Sequence, residues 1–161
     1  MRNLRIDLCY DGTRYKGWQR LQQNDNTIQG KLESVLSRLL QEDIEISGSG
    51  RTDAGTHARG QVANFHCNST MTCDDILEGL RTYLPEDIGV YSCKDVSERF
   101  HARLHAKEKT YCYRVIINKG CFLIHLRPLI AHRIICRRKV FSLHPLLFRR
   151  PWQKAFQHTC R

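Results

Sequence analysis

The chain has 161 residues, 41% of them hydrophobic and 26% charged, with a mean hydropathy of −0.49; this suffices for one ordinary domain with its own core. No apolar run approaches a membrane span, and Arg5 and Asp7 interrupt the N-terminal stretch where a signal peptide would be apolar, so a cytoplasmic protein without a membrane partner is expected. The net charge of +10 is uneven: residues 1–108 hold 14 Lys and Arg against 16 Asp and Glu, whereas residues 109–161 hold 12 Lys and Arg and no acid, so the global charge alone does not argue for nucleic acid.

Residues 2–10 alternate, with Leu4, Ile6, Leu8 and Tyr10 on one face and Arg5, Asp7 and Cys9 on the other, as in a half-buried strand. Asp11-Gly12 signals a turn. Beyond it Tyr15 and Trp18 are interleaved with Arg14, Lys16 and Arg20. Aromatics among bases suit RNA stacking and phosphate contact; they equally suit a cap on the core. Thr27 is placed to cap a helix, and Ile28, Leu32, Val35, Leu36, Leu39 and Leu40 give that helix a core-facing stripe. Ile44 and Ile46 begin a second strand, which runs into SGSGRTDAGTHARG, and Gln61 to Cys67 makes a third.

In that glycine-rich stretch Asp53 stands between glycines that tolerate unusual backbone conformations. The small side chains would let another backbone approach closely. Arg51 and Arg59 bracket the carboxylate, favour its ionised form and offer bidentate donors to phosphate. An isolated D-A-G would be read as a glycine turn with a solvated Asp; the longer stretch is more specific.

Thr72 and Asp75 form a capping box in its acidic variant, ahead of a second helix with Ile76, Leu77, Leu80 and Leu84 buried and Pro85 as its stop. Ile88, Val90 and Tyr91 mark a fourth strand, residues 100–106 a basic loop, and Lys107 to Ile117 a fifth strand. Strand-helix-strand order twice over predicts an α+β fold with a mostly antiparallel sheet and helices on one side. The eight cysteines contain no C-x-x-C pair and are read as buried thiols. His101 and His105 lack a helical setting that would make them metal ligands, so no metal is expected.

Four segments together resemble the tRNA pseudouridine synthase A family: YDGTRYKGWQ, TIQGKLE, GSGRTDAGTHARGQVANF and FHARLHAKEKTYCYRV. The resemblance covers about residues 2–118. It implies a ferredoxin-like half-domain at residues 1–118 and isomerisation of uridine to pseudouridine at positions 38–40 of the tRNA anticodon stem-loop. The base would be detached at N1, turned and rejoined through C5, with no cofactor. By the same resemblance Asp53 is the catalytic carboxylate, acting as nucleophile or base. Tyr111, in K-x-Y-x-Y, is the aromatic against the extruded uracil. Arg51 fills the space that the flipped base leaves. Arg14, Arg20, Arg59 and Arg103 are candidate phosphate contacts, and His57 is read as a structural loop residue. Family members are homodimers built largely through a C-terminal half.

Residues 119–161 match none of the family's motifs. They are expected to be an irregular basic tail that is an RNA-binding arm, an unusual folded extension or, the favoured reading, the product of a truncation or frame shift near Lys119. The competing functional reading is an inactive synthase fragment that binds RNA weakly. An aspartic protease is disfavoured because Asp53-Ala54-Gly55 lacks the hydroxyl residue, and a glycosidase because no second carboxylate lies near Asp53 in sequence.

Overall fold

The computed structural model describes residues 1–21, 26–118 and 121–131, with side chains up to residue 112. Its strands are β1 (Arg2–Tyr10), β2 (Ile46–Gly48), β3 (His57–Cys67), β4 (Ile88–Val96), β5 (Thr110–Asn118) and β6 (Cys121–Ala131), and its helices are α1 (Ile28–Leu40) and α2 (Cys73–Tyr83). The sheet runs β4-β1-β3-β6-β5, with β2 also paired to β3. Every pairing is antiparallel except β3 with β6. The fold is the expected α+β arrangement.

Both helices begin as their caps dictate. Thr27 Oγ1 accepts from the Gly30 N–H at 3.2 Å, and Thr72 Oγ1 accepts from the Asp75 N–H at 3.1 Å, each satisfying an amide that the first turn leaves without a partner. The Asp75 carboxylate accepts the Thr72 hydroxyl at 2.6 Å, so the return bond of the cap goes to the Thr72 side chain, where a capping box would use its backbone N–H. Ile28, Leu32 and Leu36 of α1 and Ile76 and Leu80 of α2 are fully buried against Leu4, Ile6 and Leu8 of β1 and Phe65 of β3. Each such side chain contributes about 1.5–3 kcal/mol when withdrawn from water. Val35 and Leu39 sit at the margin of the stripe, partly buried.

The other face of the sheet is polar yet closed at one end. Asn3 and Asn64, both 2% exposed, hold residues 97–102 across it. Asn64 Oδ1 accepts from the Ala102 N–H at 2.8 Å, and Asn64 Nδ2 donates to Asn3 Oδ1 at 3.0 Å. Asn3 Nδ2 in turn donates to the carbonyls of Ser97 and Phe100 at 2.9 and 2.8 Å. The two amides thus satisfy the Ala102 N–H and the Phe100 carbonyl and add a second donor to the Ser97 carbonyl, which already accepts from the Phe100 N–H at 2.8 Å.

Three expectations are corrected. β3 begins at His57, ahead of Gln61, because the chain joins the sheet as soon as it leaves the glycine loop. The run from Cys121, read as irregular, is a strand up to Ala131; Pro128 obscured it, although edge positions and bulges admit proline. Among the described cysteines, all free, Cys67 alone is buried, while Cys9, Cys73 and Cys93 are half-buried and Cys112 is exposed. Residues 132–161 lie outside the described residues, as does the reading of them as a tail.

Asn64→Ala should cost about 1–3 kcal/mol, because it leaves the Ala102 N–H and the Asn3 side-chain oxygen unpaired in a buried setting. Urea titration gives the loss, and hydrogen exchange should show faster exchange at Ala102. Unchanged protection there would mean that the crossing segment is held by other contacts.

Candidate active site

The residues singled out around Asp53 occupy the loop between β2 and β3. The loop is fastened at both ends by buried hydrogen bonds. At its start the Ser49 N–H donates to Val62 O at 2.8 Å, Ser49 Oγ donates to Gln61 Oε1 at 2.9 Å, and Gln61 Nε2 donates to Gly50 O at 2.6 Å. Gln61 is fully buried at a core-facing position of β3, so a polar side chain stands where the alternation calls for an apolar one, and the loop uses both of its groups. At the tip the Trp18 N–H donates to Thr52 O at 2.9 Å, the Gly55 N–H donates to Tyr15 O at 3.2 Å, and the Thr56 N–H closes a turn onto Asp53 O at 3.1 Å. Tyr10 Oη and Thr52 Oγ1 share a buried hydrogen bond of 2.9 Å. Burial pushes the Tyr10 hydroxyl up to about 12 against the opposing effect of the Thr52 bond, so it stays protonated at neutral pH.

The close approach expected of this loop is achieved from the facing segment. A Cβ on Gly12 would lie 1.9 Å from Thr56 O, and one on Gly17, at φ +101°, would lie 2.5 Å from Thr52 O. Backbone rests directly on backbone at both ends of the Asp53 turn. Gly48 admits the Trp18 ring, which a Cβ would meet at 2.6 Å. The facing segment is held from behind by α1, whose Ile28 and Gln29 N–H groups donate to the Gly17 and Trp18 carbonyls at 3.2 and 2.9 Å. Tyr15 and Trp18 are 5% and 3% exposed. They belong to the core, which rules out the stacking role that the interleaved bases suggested.

Asp53 itself is exposed, and among the described residues its carboxylate has no hydrogen bond or ion pair. Arg51, Arg59 and Arg103 are exposed and likewise form no ion pair among the described residues, so the two arginines that bracket Asp53 in sequence do not clasp it. Arg14 and Arg20 do have carboxylate partners. Arg14 Nη2 lies 2.8 Å from Asp87 Oδ2, and Arg20 Nη1 lies 3.0 Å from Glu33 Oε2, without the alignment of a hydrogen bond. His57 opens β3 with Nδ1 3.0 Å from Asp11 Oδ1, a structural tie between the two segments. Tyr111 lies opposite Ile130, and Ile130 lies opposite Ala58. The order β3-β6-β5 therefore brings Tyr111 to the end of the sheet from which the Asp53 loop rises, with its ring 37% exposed.

Sequence reasoning missed Gln61, Thr52 and Asp87. A glutamine at an inward strand position was the available signal for the first. Asp87 joins Arg14 and the Tyr15 hydroxyl, and its carbonyl accepts from the Asp11 N–H at 2.9 Å. Burial alone would raise its carboxyl, but hydrogen bonds from Tyr15 and Arg14 outweigh this and hold it below the ordinary carboxylate range. An open groove of about 310 Å³ runs along α1, lined by Arg20, Lys31, Glu33 and Ser37 among others. No residue of the Asp53 loop lines it. Among the described residues no three His, Cys, Asp or Glu side chains converge as a metal site.

A family model described as tRNA pseudouridine synthase matches residues 9–104. A tRNA pseudouridine synthase A of Bacillus sp. (strain KSM-64) is 53% identical over 115 residues, 71% of this chain and 47% of that protein. A tRNA pseudouridine synthase A 1 of Clostridium tetani is 57% identical over 119 residues, 74% of this chain and 49% of that protein. The chain spans about half the length of the relatives it matches.

The backbone contact makes a graded prediction. Gly12→Ala must displace a backbone carbonyl and should cost about 3 kcal/mol or more. Gly55→Ala, at φ +76° with no atom within 4 Å of the added methyl, should cost about 1–2 kcal/mol from backbone strain alone. Equal losses in urea titrations would show that the contact is not what fixes the loop. The lowered Asp87 carboxyl gives a pH dependence. The folded state holds this proton less readily than the unfolded chain, so the stabilisation is present above about pH 4 and lost as pH falls through the lowered value. Asp87→Asn should lower stability at pH 7 and flatten the loss below pH 4. Parallel acid limbs in the two proteins would exclude a contribution from Asp87.

Proposed function

The chain belongs to the tRNA pseudouridine synthase family, and on that premise we propose that it isomerises uridine to pseudouridine in tRNA, on the 3′ side of the anticodon stem-loop. Asp53 is the catalytic carboxylate. The observation that carries this reading is its setting: a turn clamped between two buried hydrogen-bond groups presents one exposed carboxylate with no partner among the described residues. A group held in place and not neutralised is ready to act on a nucleotide delivered to it, as nucleophile at the sugar or base or as a base toward a sugar proton. The order of strands supports Tyr111 as the aromatic that meets the extruded uracil. Arg51, beside Asp53 and exposed, is the wedge that replaces the flipped base.

Phosphate contact falls first to Arg59 and Arg103, which carry no ion pair among the described residues. Arg14 and Arg20 share their charge with Asp87 and Glu33 and contribute less. The protein works in the cytoplasm and as a homodimer. No helix among the described residues is long and apolar enough to cross a membrane. A second reading, weak tRNA binding without turnover, is favoured by the extent of the match, which spans about half of each relative.

Asp53→Asn preserves size and removes charge. Pseudouridine formation, mapped by carbodiimide labelling of tRNA incubated with the chain, should vanish while tRNA binding stays within about two-fold, because the substitution removes no cation that contacts phosphate. Turnover by the Asn variant would refute the assignment. Binding without turnover in the unaltered chain would select the second reading.

A further inference from the structure

The sheet face turned away from the helices carries two irregularities at one level of β1. In β4, Asp7 lies opposite Ser92 and Leu8 opposite Val90, so Tyr91 is an extra residue. Val90 belongs to the core and Cys93 packs against it. Inward-facing positions three apart leave two successive side chains, those of Tyr91 and Ser92, facing outward. In β3, Leu8 lies opposite Gln61 and Tyr10 opposite Ala58. Ala58 is core and Gln61 is buried beneath the loop, so Arg59 and Gly60 face outward by the same reasoning. β1 runs between the two bulges with Asp7 and Cys9 on the outward face. Tyr91 stands opposite the Asp7–Leu8 step of β1 and so shares this face with Asp7; burial, and to a smaller extent the Asp7 carboxylate, raises its hydroxyl.

The contents of this face point to a ligand. Tyr91 is 52% exposed, whereas Tyr10 and Tyr15 are buried. Arg59 and Lys94 are exposed, and neither forms an ion pair among the described residues. Lys94 stands opposite Arg5 on the same face. Asp7, the acid on the outward face of β1, is taken by Arg5 at 2.7 Å. An accessible ring among uncommitted cations presents a π-face for a base and positive charge for its phosphates. A bulge is a common device for turning a side chain toward a site, and two of them here turn an aromatic and an arginine to the same face. Arg59 also continues directly from the Asp53 loop, so a strand lying on this face runs into that loop.

We infer that this face is a second contact surface for single-stranded RNA, with one nucleobase stacked on Tyr91 and the adjoining phosphates held by Arg59 and Lys94. The inference rests on the tRNA reading above and extends the substrate path away from Asp53.

Fluorescence anisotropy of the full chain with a short labelled oligouridylate tests it without requiring turnover. Tyr91→Ala should weaken binding by about 5- to 100-fold. Tyr91→Leu, which keeps an apolar side chain on the strand but removes the π-face, should lose a similar factor, and Tyr91→Phe should stay within about two-fold. Arg59→Ala should lower the slope of log affinity against log salt by about 0.7. Unaltered affinity in Tyr91→Leu, or equal losses in Tyr91→Phe and Tyr91→Leu, would overturn the surface and leave the isomerase reading standing. No binding of the oligouridylate by the unaltered chain would likewise overturn the surface, while the isomerase reading stands or falls on turnover of tRNA.

Discussion

The tip of the Asp53 loop depends on one contact, the backbone of residues 12–17 lying directly on the backbone of residues 52–56. Gly12 and Gly17 are the positions where this happens, because a side chain at either would occupy the space of a carbonyl. Such a contact is short and stiff. It leaves no side-chain rotamers between the two segments to absorb error, so a carboxylate at the tip inherits the rigidity of β1 and α1. The hydrogen bonds from Trp18 to Thr52 and from Gly55 to Tyr15 fix the register of that contact, and the buried Tyr10 hydroxyl locks the side chain next to Asp53. Preorganisation of this kind is what the catalytic role proposed for Asp53 would draw on.

Much of this frame is legible in the residues. Alternation from Leu4 to Tyr10, the stripe from Ile28 to Leu40 and the caps at Thr27 and Thr72 each follow from one local rule, and each is present as read. Gly12 reads as part of a turn and Gly17 carries no reading of its own, because their actual purpose depends on a segment some forty residues away. Tyr15 and Trp18 are ambiguous for the same reason: aromatics among arginines look alike whether the rings face water or core, and only the fold places them inside. Asn3 and Asn64 are polar residues on a polar face, and nothing local marks them as the pair that holds residues 97–102. The strand from Cys121 is hidden by Pro128 and by an apolar run with no clear period. For Asp53 the local signal is strong, since a charged residue set among glycines has no neighbouring apolar stripe to flank and no helix to cap. The partners that clamp it carry no such mark.

The two faces of the sheet divide the work of the fold. One is apolar and covered by both helices, and it supplies the core. The other is built from amides, an Arg5–Asp7 pair at 2.7 Å and the outward residues of two bulges. The guanidinium of Arg5 also stands 6.0 Å over the Phe100 ring, which stacks on His105. Stability is not confined to the first face, because the Asn3–Asn64 pair on the second holds residues 97–102; only the exposed positions there, Tyr91, Arg59 and Lys94, can change with little consequence for the core.

The edge of β3 that faces away from β1 is shared by two strands, β2 along Phe65 to Ala63 and β6 along Gly60 to His57. Among the described residues β6 touches β3 through this short seam, whereas β1 is paired along its whole length. The β5–β6 hairpin closes its own pairing locally, but its docking joins residues far apart in the chain. Such a seam is late to form and early to open, because the entropy of closing the long loop must be met before few contacts reward it. Residues 1–105 can complete their pairing first as the chain emerges from the ribosome. Since Tyr111 is carried on the hairpin and the Asp53 loop on the older part of the sheet, the end of the sheet that they share is completed only when that seam shuts.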